Sequence, residues 1–315
     1  MIRKKIIIAG GSGFLGRTLT KWLSSEHEIV VLSRQATDMV KARVVVWDGR
    51  TVGDWAQELE GADALINLAG RSVNCRYNAS NQRTVMNSRL ESTRALGEAI
   101  SSCSNPPKVW LNSSTATIYE HTYGPAHDEL GKTGAHPDAK DAFSIEVARA
   151  WEQEFENAKT SATRKVILRT AMVFGAEEGG VFHIMRRLTR LGLGGKMGHG
   201  RQYVSWLHAT DFCRAIERLM NNSEAEGIYN LSAPHPLSNA EMMSEFRKAY
   251  GMPFGLPATN WMLEFGAFFL RTETELIIKS RRVVPGRLLE EGFEFKYPRI
   301  GEAIKELRNG DTLHL

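Results

Sequence analysis

The sequence predicts an α/β protein, a Rossmann-type, doubly wound parallel sheet with a smaller, mostly helical C-terminal lobe. Three observations predict it. Runs rich in Val, Ile and Leu alternate with helical runs through the first half of the chain. Those apolar runs are nearly continuous, as strands covered on both faces require. The first of them, Ile6-Ile7-Ile8, leads straight into a glycine-rich turn, Gly10-Gly11-Ser12-Gly13-Phe14-Leu15-Gly16, and then into a helix.

In chain order the pattern predicts strands over 5–9, 28–32, 43–47, 64–68, 108–112 and 165–169. Helices are expected over 14–24, 54–59, 82–100 and 142–158. After about residue 175 the rhythm breaks into glycine-rich loops such as Gly192-Leu193-Gly194-Gly195-Lys196-Met197-Gly198, with further helices over 210–220, 239–250 and 261–270. Residues 1–175 thus read as a nucleotide-binding domain whose sheet later segments complete, and 176–315 as a lobe over the sheet's carboxyl edge, where ligands of such sheets lie. A chain of 315 residues with 42% hydrophobic content can bury a core of this size.

Composition excludes several function classes. The formal charge of +4 is spread along the chain, with only small basic knots at Arg186-Arg187-Arg190 and Arg281-Arg282, which read as solvated helix faces rather than a nucleic-acid footprint. Cys75, Cys103 and Cys213 are odd in number and widely spaced, suggesting neither a disulfide framework nor a metal knuckle. No metal is expected, and a reducing, cytoplasmic setting fits. The opening residues have too short an apolar run for a signal peptide, and residues 261–270 fall short of a membrane span. The expected partner is a small molecule, with no nucleic acid and no membrane; a homodimer is open.

The glycine-rich turn carries the first chemistry. Gly10, Gly13 and Gly16 give one phosphate-binding spacing, and Gly11, Gly13 and Gly16 give G-x-G-x-x-G. Glycines there let the backbone turn tightly and approach a pyrophosphate, whose charge the amides at the start of the helix face. Gly10, Gly11, Ser12, Gly13, Phe14, Leu15 and Gly16 are therefore cofactor-binding candidates. A site for NAD normally ends its second strand on an acidic residue that accepts from the ribose; this chain has Ser33-Arg34. A guanidinium and a hydroxyl suit a 2′-phosphate, which favours NADP(H). Asp48, past the third strand, either accepts from the adenine amino group or is a turn residue.

Further motifs are NLAG at 67–70, NSRLEST at 87–93, NSSTATIY at 112–119, FSIEVARAWE at 143–152, LRTAMVFGAEEGG at 168–180, LGLGGKMGHGRQYVSWLHATD at 191–211 and RRVVPGRLLEEGFEFKYP at 281–298. With the glycine-rich turn they span nearly the whole chain, which resembles the extended short-chain dehydrogenases/reductases. More narrowly, it resembles the NAD-dependent epimerase-like proteins of uncharacterised activity that carry a small C-terminal domain of unknown function. The resemblance implies that Leu68, Ala69 and Gly70 lie against the cofactor, and that Thr115 hydrogen-bonds the reacting oxygen. Thr115 and its serine neighbours can equally satisfy loop backbone. Arg76 and Tyr77 are implied to line the substrate cleft. Arg201 is implied as an anion ligand, though an ordinary surface arginine reads the same. His208 and Asp211 lead into a helix, with Asp211 a cap or hinge.

The family's Tyr-x-x-x-Lys pair is missing. Phe143 and Val147 stand in its places, and none of the seven tyrosines has a Lys or Arg four residues on. Replacement donors are Tyr119 and His121, each of which also reads as a packing or loop residue. Three functions follow: an NADP(H)-dependent oxidoreductase acting on a small carbonyl or alcohol, a noncatalytic NADP(H) sensor, and, least supported, a nucleotide-sugar epimerase.

Overall fold

A computed structural model describes residues 3–39, 41–259, 261–262 and 275–312. Strands β1 (Lys5–Ala9), β2 (Glu28–Ser33), β3 (Arg43–Val46), β4 (Ala64–Asn67), β5 (Val109–Thr115), β6 (Arg164–Thr170) and a later strand, Gly227–Leu231, form one seven-stranded sheet. All its pairings are parallel. Its order, from the last-formed strand, is 227–231, β6, β5, β4, β1, β2, β3. The chain winds outward in both directions from the β1–β4 boundary, and the crevice at such a reversal is where a nucleotide lies.

Helices cover both faces because alternate side chains of each strand point to opposite sides. Ile6 and Ile8 join one core cluster with Leu19 and Leu23 of α1 (Phe14–Leu23) and with Phe212, Ile216 and Leu219 of a later helix. Ile7 and Ala9 join the other cluster, under Leu96 and Ile100 of α2 (Ala79–Ser101) and Phe155 of α3 (Ala142–Asn157). Helix α2 begins three residues before the expected start, because the Asn78 side chain accepts from the Asn81 amide and caps it. The expected helix over 54–59 is a 3₁₀ turn, Asp54–Leu59, that buries Trp55 and Leu59.

Beyond β6 come β7 (Met172–Phe174), α4 (Val181–Arg190), β8 (Tyr203–Val204), β9 (Trp206–His208) and α5 (Ala209–Asn221). They are followed by β10 (Gly227–Leu231), β11 (Leu237–Ser238), α6 (Asn239–Ala249), α7 (Glu275–Ile278), α8 (Gly286–Glu290) and α9 (Ile300–Thr312). Helix α5 and β10 return to the main sheet. Helix α8 also packs on the main sheet, through Leu288 against β10, while α4, α6 and α9 build a lobe around Phe174, Phe182, Trp206, Met243, Phe246 and Ile304, stiffened by two short sheets, β7–β9 and β8–β11. Helix α6 opens with a reciprocal capping box between Ser238 and Glu241. The expected helix over 261–270 falls almost wholly outside the described residues. No described helix is long and apolar enough to cross a membrane.

Candidate functional site

Three of the four glycines in the turn have reasons inside the protein. Gly10 has φ +77°, and a Cβ on it would stand 2.8 Å from the backbone of Leu68 and Ala69. A Cβ on Gly11 would meet the Val31 side chain at 2.7 Å, and one on Gly16 would meet the Gly11 Cα at 2.4 Å. Gly13 is different. Its backbone is ordinary extended chain (φ −76°, ψ 174°), and the nearest atom to its Cβ position is Gly10 O at 3.5 Å. It stands at the N-cap of α1, which has no side-chain cap and no acidic residue in its first turn. Unsatisfied amides, a bare approach and no competing anion fit a pyrophosphate. The side chains of Phe14 and Leu15 pack against the core, so these residues offer amides.

The turn is tied to both neighbouring strands. Ser33, buried at the end of β2, donates to Ser12 Oγ at 3.1 Å. Its neighbour Arg34 is exposed and makes no hydrogen bond or ion pair among the described residues. On the other side, Asn67 Oδ1 accepts from the Ala69 amide (3.0 Å), while Asn67 Nδ2 donates to Asn112 Oδ1 (2.7 Å). This buried pair of asparagines fixes the path of 68–70 at the carboxyl end of β4; its signal in the sequence is the first residue of NLAG. Asp48 accepts from the amides of Arg50 and Thr51 and from Thr51 Oγ1 (2.6 Å), which pull its carboxyl below the usual range. Of its two open readings, the structure shows the turn residue.

Thr115 ends β5 half-buried, its Oγ1 accepting from the Thr117 amide at 3.1 Å. Two residues on, Thr117 is held by residues from a distant part of the chain. Arg281 Nε donates to Thr117 Oγ1 (3.1 Å). The buried ammonium of Lys279 donates to Thr117 O (2.6 Å) and pairs with Asp141 Oδ2 (2.5 Å), just before α3. Ser144 Oγ donates to Glu275 Oε2 at 2.8 Å. Phe143 meets the Tyr77 ring edge to face, with centroids 4.9 Å apart. Burial, then the Glu275 carboxylate, push the Tyr77 phenol up to about 12, against a hydrogen bond with Ser144. Val147 is buried.

Tyr119 is a correction. Only 1% of it is exposed, its hydroxyl donates to Asn230 Oδ1 (2.8 Å) and accepts from Arg169 Nη1 (3.0 Å), and its ring stacks on His127. Arg169 in turn makes a two-pronged pair with Glu152 of α3 (2.9 and 2.8 Å), and Glu152 accepts from Ser114 at 2.5 Å. Tyr119 therefore belongs to a sealed network that locks α3, β5, β6 and β10 together, with no opening to a substrate. His121 uses Nδ1 to accept from the Ser280 amide (3.0 Å). Arg201 is exposed; its amide donates to His199 Nδ1 (3.0 Å), and His199 bonds the Tyr123 hydroxyl. The Arg76 carbonyl accepts from Asn81 Nδ2 (2.7 Å), tying the segment before α2 to its first turn. His208, buried, caps α5 by accepting from the Thr210 amide at 3.1 Å, and Asp211 accepts from the amides of Lys296 and Tyr297. Among the described residues one group could hold a metal ion, Glu26, His27 and Glu217, at the opposite, amino edge of the sheet.

The model of the NAD dependent epimerase/dehydratase family matches residues 6–232, most of the chain. The chain belongs to that family. A second model, a domain of unknown function (DUF1731), matches residues 258–307 and so includes Glu275, Lys279 and Arg281. The epimerase family protein SDR39U1 of Bos taurus is 31% identical over 96% of this chain and 99% of its own length, and that of Homo sapiens is 30% identical with the same coverage. The crystal structure of human SDR39U1 (isoform 2) with NADPH superposes with a TM-score of 0.85 at 29% identity, covering 97% of this chain and 99% of that one. A nucleoside-diphosphate sugar epimerase from Corynebacterium glutamicum gives 0.75 at 26%, covering 96% of this chain and 57% of its own.

Proposed function

We propose that the protein is an NADP(H)-dependent oxidoreductase that reduces a small carbonyl compound without the Tyr-x-x-x-Lys pair of its wider superfamily. The observation that carries the cofactor is Gly13, the one glycine of the turn whose missing Cβ has no neighbour inside the protein that requires it. Its uncapped helix start suits the pyrophosphate, and Arg34 stands free at the end of β2 to pair with a 2′-phosphate. The NADPH present in the structure of human SDR39U1, which the chain matches along its whole length, supports the same choice.

When bound, the cofactor supplies a hydride that turns a carbonyl carbon into that of an alcohol. Thr115 holds the oxygen through its hydroxyl hydrogen, since Oγ1 already accepts from the Thr117 amide. The proton that completes the alcohol comes from Tyr77, whose ring lies on Phe143 where the family's own tyrosine would stand. A phenol pushed up to about 12 stays protonated at neutral pH and so carries the proton that reduction consumes. Phe143 and Val147 also favour a second reading, a sensor that binds NADP(H) and reports it to a partner.

One experiment separates the two. NADPH oxidation is followed over a panel of aldehydes, ketones and oxo acids, with the unmutated protein and the Tyr77→Phe and Thr115→Val variants. Turnover that both variants lose, with NADPH affinity kept, supports the reductase. Tight NADPH binding with no turnover on any compound supports the sensor.

A further inference from the structure

Beside the carboxyl edge of β4 stands a cation that no carboxylate among the described residues answers. Arg89 projects from α2 with a half-buried side chain, and its guanidinium lies over the Trp151 ring, 5.1 Å from the centroid. One N–H is used, donated by Nη1 to Val85 O (2.9 Å) one turn back in the same helix. The ionisable groups close enough to couple to it are Tyr77 and Cys75, and among the described residues no carboxylate joins them. The contrast is Arg169, buried and held by both oxygens of Glu152. Burial draws the Arg89 guanidinium down to about 10, so it is still a cation at neutral pH, in surroundings that penalise the charge.

Its position gives the charge a use. Gly70, the last residue of the segment that leaves β4 at the carboxyl edge, lies against it; a Cβ there would stand 3.4 Å from Arg89 Cζ. With glycine at 70, no side chain of that residue covers the guanidinium. Tyr77, close enough to Arg89 to couple to it, is the residue that packs on Phe143. We propose that Arg89 receives an acidic group of the substrate, a carboxylate or a phosphate, so that the compound reduced is an anion rather than a neutral aldehyde or ketone. The inference rests on the reductase reading for the word substrate, and on Arg89 alone for the anion. A planar fork of free N–H bonds takes either group in two-pronged fashion.

The test is calorimetric titration of the protein, with and without saturating NADPH, using 2-oxoglutarate, its dimethyl ester and inorganic phosphate. The unmutated protein is expected to bind 2-oxoglutarate or phosphate at least about ten-fold more tightly than the ester. Arg89→Gln removes that preference, Arg89→Lys keeps part of it, and both leave NADPH affinity within about two-fold. Whichever anion binds better identifies the group. Equal binding of acid and ester with none of phosphate, or anion binding that survives Arg89→Gln, overturns the proposal. So does a ten-fold loss of NADPH affinity in both variants, because the guanidinium then serves a cofactor phosphate. If Arg89→Gln does not fold, the Lys variant and the acid–ester comparison in the unmutated protein decide. Turnover is read separately: anion binding without NADPH oxidation would sink the reductase and leave the subsite, whereas equal turnover of acid and ester would do the reverse.

Discussion

Replacing Gly13 by valine tests cofactor binding apart from folding, because on the proposed reading the two roles fall to different glycines. At position 13 the backbone is extended, which valine adopts without strain, and the new Cβ has its nearest neighbour at 3.5 Å, an ordinary contact. The folding cost is then the N-cap preference alone, about 1 kcal/mol or less, and the melting temperature falls by roughly 2–4 °C. At position 16 even alanine brings a Cβ to 2.4 Å from Gly11 Cα, so the backbone of the turn must move, at a cost of about 1–3 kcal/mol or more.

Binding reverses the order of harm. A valine at 13 projects where the pyrophosphate meets the first amides of α1, and charge-assisted hydrogen bonds there are worth about 1.5–3 kcal/mol each. Losing two raises Kd for NADPH by more than about a hundred-fold. Calorimetry with NADPH and a thermal melt on each variant give both numbers. A folded Gly13→Val protein that binds NADPH within about three-fold of the unmutated protein would refute the assignment of the phosphate site, and with it the cofactor reading.

Arg34→Ala should weaken NADPH by about ten-fold or more and leave NADH unchanged, because the contact removed is to the 2′-phosphate alone; calorimetry with both cofactors checks it. Tyr119→Phe should cost about 1–2 kcal/mol in urea unfolding, since the Asn230 and Arg169 groups lose a buried partner, and leave turnover unchanged; a loss of turnover at equal NADPH affinity would restore Tyr119 to the chemistry. His208 predicts a pH dependence. Burial lowers its folded-state value from 6.5 to about 4, against the nearby Asp211 carboxylate and helped by the Lys296 ammonium. The unfolded chain therefore binds more protons between those values, so stability is present above about 6.5 and is lost as pH falls toward 4, by up to about 3 kcal/mol. Urea unfolding at pH 7 and pH 5 should show that loss in the unmutated protein and a smaller one in His208→Asn, which can still cap α5.

What the sequence made legible is what local chemistry decides. Six of the seven sheet strands, the turn at 10–16 and the helices on both faces follow from apolar periodicity and glycine geometry within a few residues. What it concealed depends on partners far apart in the chain. Residues 227–231 carry only five residues of strand and no turn signature, so their place beside β6 follows from packing. Tyr119 looked like a donor four residues past Thr115, yet Asn230 and Arg169, 111 and 50 positions away, fix it in the core. Arg89 carries no signal of its own in the motif at 87–93, and its approach to Gly70 appears only when α2 lies on the carboxyl edge of β4.

The missing Tyr-x-x-x-Lys pair was legible as an absence, but its surroundings were not. Phe143 and Val147 sit on a helix whose first turns are gripped by the C-terminal segment, through Lys279 on Asp141 and Thr117, Glu275 on Ser144, and Arg281 on Thr117. Those contacts join residues more than 130 positions apart. The segment matched by the domain of unknown function thus packs on Thr117, two residues past Thr115, and on the start of α3. Deleting that segment would strip the start of α3 of its buried ion pair and leave Thr117 and Ser144 without their partners.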